Sequence, residues 1–143
     1  MLDFILIPLL VGIIVQAIKL IIDGIPNNFS WQHIVSDYGG MPSAHTAFVS
    51  ALLVIVGIKE GFGSAAFAIS FILLIIVVRD AIGFRREIGR NAALTNFIAK
   101  NTLKNKKINY LTERVGHTLP EVAAGFVIGG ALAVFFYLTF LMI

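Results

Sequence analysis

The sequence contains no cysteine and few charged residues, and both shortages narrow what the chain can be. Without cysteine, no disulfide, thiolate nucleophile or Cys-based metal site is available. Charged residues make up 13% of the 143 positions, about half the share in soluble domains, whereas hydrophobic residues make up 58%. The net charge is a modest +3, and most of the basic residues lie in one loop between apolar runs, a pattern that indicates membrane topology and makes nucleic-acid binding unlikely. The composition predicts a single domain, residues 1–143, embedded in a lipid bilayer.

Long apolar runs predict transmembrane helices. Residues 2–22 are almost wholly apolar and, as a helix, would cross a hydrocarbon core of about 30 Å. No basic segment precedes this run, which favours a retained helix over a signal peptide. Further apolar runs occupy residues 44–59, 62–79 and 121–142. We therefore predict an all-α fold, an integral membrane helical bundle with about four transmembrane helices.

Residues 87–103 mix apolar and polar residues at helical spacing, which predicts an amphipathic interfacial helix along the membrane surface. Nine of the eleven Lys and Arg residues lie at the end of the third apolar run or between it and the fourth. Basic loops stay in the cytoplasm, so this loop is predicted to be cytoplasmic, with both termini outside. We expect an integral protein of a prokaryotic plasma membrane.

The stretch GGMPSAHT, residues 39–46, predicts a glycine-rich loop that enters a buried helix. Ser43 is placed to cap this helix, and the free N–H groups beyond it form a ready anion site. His45 lies in the first turn and can exchange a proton near neutral pH. This stretch alone is equally compatible with a capped helix that carries a polar histidine near the membrane surface.

A second polar stretch precedes the last apolar run. His117 and Glu121 are four residues apart and can share one helical face. Thr118 and Glu121 also fit a capping box, and the two roles of Glu121 are not exclusive. Lys19 can either snorkel to the headgroups or face an anion. The predicted topology gathers the ionisable groups of both stretches at one membrane face, together with Lys19, Asp80, Arg85 and Arg86.

This set of side chains suits phosphoryl transfer. Cations hold the nonbridging oxygens, one histidine acts as a nucleophile and forms a phosphohistidine, and a second histidine protonates the leaving alkoxide.

Three stretches also resemble a known family. Residues 42–45, PSAH, resemble the PSGH motif of the type 2 phosphatidic acid phosphatase (PAP2) superfamily, with Ala44 in place of glycine. Residues 116–125 resemble its third motif, in which an acid follows a histidine after four residues. With D-A-x-G-x-R-R at 80–86 between them, the chain is similar to the small, divergent branch of that superfamily.

The resemblance implies catalytic roles for three residues: His117 as the nucleophile, Glu121 as the acid that orients it, and His45 as the general acid. It also implies that the phosphate is bound by Ser43 with the N–H of Ala44, and by Lys19. No metal and no other cofactor is implied.

Two arginines of the family motifs are missing from their usual places. The arginine-proline pair of the first motif is replaced by Pro26 and Asn27, and the arginine six residues before His117 is replaced by Leu111. We therefore predict that Arg85 or Arg86 supplies the phosphate-binding charge. Asp80 and Gly116 are candidate supporting residues at this site.

The predicted function is a membrane lipid-phosphate phosphatase that hydrolyses a phosphomonoester through a phosphohistidine at the cytoplasmic face. One alternative is a non-catalytic lipid-phosphate binder or transporter that uses the same anion pocket. Another is a divalent-metal site built from Asp37, Asp80 and Glu87, although these acids lack close ligand spacing. Four spans are fewer than the six of typical membrane members, so we expect a homodimer in the lipid bilayer.

Overall fold

The protein was analysed as a computed structural model that describes residues 2–23, 39–102 and 109–141. Of these residues 82% are helical and none lies in a strand, which confirms the all-α prediction. The predictions that involve Pro26, Asn27 and Asp37 fall outside the described residues. The helices are α1 (Asp3–Asp23), α2 (Ala44–Glu60), α3 (Ala65–Ile82), α4 (Phe84–Thr102) and α5 (Leu119–Leu141).

Helix α2 forms the centre of the bundle, because α1, α3 and α5 all pack against it. From α1, the side chains of Ile7, Val11 and Val15 recur every four residues and so lie on one helical face. They are fully buried against small and branched side chains of α2, including Ala47 and Ile55. This spacing gives α1 a continuous apolar stripe that docks along the central helix.

Two glycines allow α5 to approach α2 closely. A Cβ atom at Gly125 would collide with the main chain of Ser43, and one at Gly129 would collide with Ala47 and Ser50. The hydroxyl of Ser50 donates a hydrogen bond across this contact to the carbonyl of Phe126 (3.2 Å). The G-x-x-x-G pattern therefore serves helix packing within the chain.

Among the described residues, three segments are long and apolar enough to cross a membrane: Asp3–Ile22, Ala65–Thr102 and Leu119–Phe140. Between 17% and 28% of their most apolar stretches is buried, so most of their surface is available to lipid. The predicted second span forms α2, whose 17 residues lie at the short end of the range for a span. The membrane bundle is thus confirmed with three candidate spans, whereas the fourth remains a prediction.

Most of the residues predicted to form the interfacial helix belong to α4, which begins at Phe84 and follows α3 after Gly83 alone. It buries small or polar residues, Gly89, Ala92 and Asn96, and exposes apolar ones such as Ile88. Its position at a membrane surface remains a prediction.

The two ends of the bundle differ in character. At one end Lys59 of α2 forms an ion pair with Asp3 of α1, and its ammonium lies 5.5 Å from the ring centroid of Phe4 and 6.0 Å from that of Tyr137. Helix α1 therefore runs antiparallel to α2, whereas α5 runs parallel to it, and the start of α2 lies at the other end. There it joins the start of α5 and the end of α3.

Candidate functional site

Main-chain hydrogen bonds join the stretches that the sequence singled out. The N–H of Gly39 donates to the carbonyl of Arg114 (2.8 Å), and the N–H of Ser43 donates to the carbonyl of Glu121 (3.1 Å). The N–H of His117 donates to the carbonyl of Ala81 (2.9 Å). The GGMPSAHT loop and the end of α3 are thereby fixed against the segment that carries His117.

Glycine is required where these stretches cross. Gly116 has φ +85°, and a Cβ atom there would lie within 2.8 Å of main-chain atoms of Arg85 and Arg86. A Cβ at Gly39 would collide with the carbonyl of Gly116. Gly116, predicted as a supporting residue, therefore lets the His117 segment lie directly on the start of α4.

His117 and Glu121 form the pair that the four-residue spacing predicted. His117 is only 6% exposed, and its Nδ1 lies 3.1 Å from Oε2 of Glu121. The same Oε2 accepts a hydrogen bond from the N–H of Thr118 (3.1 Å), as in a capping box. Glu121 thus performs both of the roles that the sequence left open: it holds the imidazole and caps α5.

The imidazole of His117 is held in its neutral form. Burial lowers the pKa of His117 below the ordinary value for histidine, and the nearby ammonium of Lys19 acts in the same direction. The hydrogen bond to Glu121 raises the pKa but does not reverse the effect. An ionised carboxylate can only accept, so in the neutral ring Nδ1 carries the proton and Nε2 keeps its lone pair. Such a ring can act as a nucleophile or a base.

Both histidines line one cavity of about 160 Å³. Its polar wall also contains Asp80 and Arg85, which form an ion pair through Oδ2 and Nε. Its apolar wall contains Ile76 and Val77 of α3, and Ile76 is 58% exposed on the outside of the bundle. We call this space the histidine cavity. It combines two imidazole rings and a guanidinium group with an apolar wall that continues onto the exposed surface of α3.

Lys19 belongs to the same neighbourhood. It is only 9% exposed and lies close enough to His45 and His117 to act on both rings electrostatically. Its burial argues against snorkelling and keeps a fixed positive charge beside the histidine cavity.

Ser43 is placed differently from the sequence prediction. It directly precedes α2, but its side chain makes no capping hydrogen bond, so the prediction of a side-chain cap was wrong. The hydroxyl lies 3.0 Å from that of Thr46 and is fully buried. Neither Ser43 nor Ala44 is among the described residues that line the histidine cavity. Phosphate binding by these two residues remains a prediction.

A second cavity of about 190 Å³ is lined by both His117 and Glu121. Arg86 and Arg114 line it, together with main chain of Gly39 and Gly40. The structure therefore separates the two predicted arginines: Arg85 shares a cavity with both histidines, and Arg86 does not. The sequence did not predict Arg114 as a site residue, because the family motif has its arginine six residues before the histidine. Arg114 lies three residues before His117.

The acids of the alternative metal site are engaged elsewhere. Asp80 pairs with Arg85, and Oε1 of Glu87 pairs with Arg90 at 2.6 Å. Asp37 lies outside the described residues. Over residues 2–23, 39–102 and 109–141, no three histidine, aspartate or glutamate side chains come together to hold a metal ion.

Comparison with known proteins agrees with the motifs. The model of a family described as the divergent PAP2 family matches residues 2–132. A relative in Bacillus subtilis (strain 168), the uncharacterized membrane protein YuiD, is 35% identical over 126 residues. That match covers 79% of this chain and 80% of the relative. No solved structure matches the chain.

Proposed function

We propose that this chain, which belongs to the divergent PAP2 family, is a membrane phosphatase that hydrolyses the phosphomonoester of a lipid phosphate. The observation that carries the proposal is the pairing of buried His117 with Glu121 at 3.1 Å beside a cavity that His45 also lines. A neutral imidazole with a fixed tautomer is a competent nucleophile, and a second imidazole opposite it can deliver a proton.

In the first half of the reaction, Nε2 of His117 attacks the phosphorus. The N–P bond forms as the P–O bond to the lipid breaks, and protonated His45 donates its proton to the departing alkoxide. The lipid leaves as an alcohol, and the phosphoryl group stays on His117. Glu121 stabilises the positive charge that develops on the ring, because its carboxylate holds the Nδ1 proton.

In the second half, His45 is neutral and removes a proton from water. The oxygen of that water attacks the phosphorus, the N–P bond breaks, and inorganic phosphate is released. The ring of His117 recovers its lone pair and His45 is again protonated, so the cycle closes without an external acid. Lys19 and Arg85 balance the charge of the nonbridging oxygens in both halves.

The apolar wall of the histidine cavity supports a lipid as the substrate. Ile76 and Val77 belong to α3, a segment with mean hydropathy 2.4 that exposes most of its surface. A lipid that lies along α3 brings its phosphate to the end of that helix, beside the cavity that His45 and His117 line. In the proposed arrangement the protein is a homodimer in a prokaryotic plasma membrane. Four helices of each chain span the membrane, and both α4 and the site lie at its cytoplasmic surface.

The decisive experiment measures phosphate release by the purified protein from phosphatidate, phosphatidylglycerophosphate and a polyprenyl phosphate in the presence of EDTA. We expect release from at least one substrate, loss of release in His117→Ala, and an acid-labile phosphoryl group on the wild-type protein. Arg90→Gln is the matched control, because Arg90 is exposed and pairs with Glu87 away from both cavities.

Three outcomes would contradict the proposal. Phosphate release that persists in His117→Ala rejects the nucleophile. Activity that EDTA abolishes and Mg²⁺ restores indicates a metal-dependent reaction instead. Lipid-phosphate binding or flipping without turnover, retained in His117→Ala, favours the non-catalytic binder or transporter.

A further inference from the structure

The first half of the segment that delivers His117 to the site, residues 109–117, is not itself helical. Residues 109–114 lie in neither a helix nor a strand, and Leu111 is 53% exposed. A surface segment of this kind needs specific contacts to hold one conformation, because ordering each residue costs backbone entropy. The contacts that fix residues 109–117 therefore decide where His117 lies.

Asn96 of α4 supplies three of these contacts. Its side-chain Nδ2 donates to the carbonyl of Leu111 and to Oε1 of Glu113, and its Oδ1 accepts from the N–H of Leu111. All three hydrogen bonds measure 2.8 Å, and Asn96 is only 8% exposed. One side chain thus satisfies both main-chain groups of Leu111, as a neighbouring strand would, and uses both N–H donors of the amide.

Contacts further along the segment carry this anchoring to His117. A Cβ at Gly89, two turns before Asn96 on α4, would lie 2.5 Å from the carbonyl oxygen of Glu113 and 2.9 Å from that of Val115. The carbonyl of Arg114 accepts from Gly39, and the N–H of His117 donates to Ala81. The segment is therefore in contact with the helices or the glycine loop from Leu111 to His117.

We propose that Asn96 is a positioning residue for the reaction, which holds residues 109–117 so that Nε2 of His117 meets the phosphorus in the histidine cavity. This inference rests on the proposed function. Asn96 lines neither the histidine cavity nor the second cavity. It therefore acts through the His117 segment and not on the substrate. Its amide is specifically required, because the site needs two donors and one acceptor at a single buried position.

The test compares Asn96→Asp and Asn96→Ala with Asn91→Asp in the full-length protein. The aspartate keeps the shape of Asn96 but loses both donors and places a carboxylate against the carbonyl of Leu111 and the acid of Glu113. Asn91 lies on the exposed face of the same helix, so Asn91→Asp makes the same chemical change without touching the segment. Glu113→Gln is a conservative companion, because its amide oxygen can still accept from Asn96.

Two measurements separate positioning from general stability. Hydrogen exchange of the amides from Leu111 to His117 should accelerate about tenfold or more in both Asn96 variants, whereas exchange in α2 should stay unchanged. With a lipid phosphate as substrate, kcat should fall about 10²-fold with little change in KM, because the nucleophile is displaced while substrate binding is retained. Asn91→Asp and Glu113→Gln should match the wild type in both measurements.

The inference is overturned if exchange of residues 111–117 does not change in Asn96→Asp and Asn96→Ala. It is also overturned if exchange accelerates while kcat stays at the wild-type value, or if the whole bundle loses stability and the folded fraction keeps its kcat. If the wild-type protein releases no phosphate from any substrate, the proposed function fails. In that case the exchange experiment still decides whether Asn96 fixes the segment.

Discussion

Oxygen Oε2 of Glu121 lies 3.1 Å from Nδ1 of His117 and accepts the N–H of Thr118 at the same distance. A single carboxylate oxygen therefore both orients the imidazole and caps α5. The two functions can be separated by experiment, because they depend on different properties of the side chain. Capping of α5 needs only an oxygen that accepts a hydrogen bond. Stabilising the positive charge that develops on the His117 ring needs the negative charge of the carboxylate as well.

Glu121→Gln should lower kcat by at least about 10²-fold, because the amide no longer stabilises the charged ring and can present its NH₂ group to Nδ1. The thermal midpoint of unfolding should change little, since the amide oxygen still caps α5. Glu121→Ala should lower both kcat and the midpoint, because the cap is lost too. Phosphate release and circular dichroism on the same samples make the comparison. Equal loss of stability in the two variants would contradict this separation.

His45→Ala should lower kcat for a lipid phosphate by about 10²- to 10⁴-fold, the usual contribution of a general acid. The loss should be much smaller with p-nitrophenyl phosphate, whose leaving group departs without protonation. The measurement is the ratio of the two rates in the variant and in the wild type. Equal losses with both substrates would show that His45 does not protonate the leaving group.

On the acid side, activity should fall at a pH below the ordinary histidine pKa of about 6.5. We call this part of the pH profile of kcat/KM its acid limb. His117 must be neutral to attack, and because its pKa is lowered, it stays neutral as the pH falls to that value. Activity is therefore lost only at lower pH, when the ring takes up its second proton. Lys19→Met removes a cation that disfavours the charged ring and should move the acid limb of kcat/KM to higher pH. A shift to lower pH would contradict the assigned role of Lys19.

Arg85 and Arg86 should differ in their effect on phosphate binding. Arg85 lines the cavity that contains both histidines, so Arg85→Gln should raise the inhibition constant of orthovanadate by about tenfold or more. Arg86 lines the second cavity, which His45 does not line, so Arg86→Gln should raise the inhibition constant less. Arg90→Gln should leave the inhibition constant unchanged. A larger effect at Arg86 than at Arg85 would place the phosphate in the second cavity.

Two adjacent glycines of α5 provide a test of the packing. Gly129→Ala should destabilise the bundle by roughly 1–3 kcal/mol, because the added methyl group meets the main chain of Ala47 and the hydroxyl of Ser50. Gly130→Ala should be tolerated, since its methyl group would lie 3.6 Å from a methyl of Val54, an ordinary contact. Thermal unfolding in one detergent compares the two variants. Equal behaviour would contradict the close α2–α5 contact.

The sequence by itself determined the helical membrane class and the main members of the site. Apolar runs long enough to span a bilayer leave few other folds, because lipid offers no hydrogen-bond partners to the main chain. The spacing of His117 and Glu121 indicated that their side chains could meet, and they do, although His117 precedes α5 and does not share a helical face with Glu121. The same local reasoning identified the capping box at Thr118.

Only the tertiary structure decided which side chains line each cavity. Arg85 and Arg86 are neighbours in sequence, yet they line different cavities because successive side chains point to different faces of a helix. The hydroxyl of Ser43 turned to Thr46 instead of capping α2. Asn96 and Arg114 gave no signal, because the first acts through a segment 15 residues away and the second stands outside the motif spacing. Contacts between elements far apart in the chain depend on how the helices pack, which local patterns do not encode.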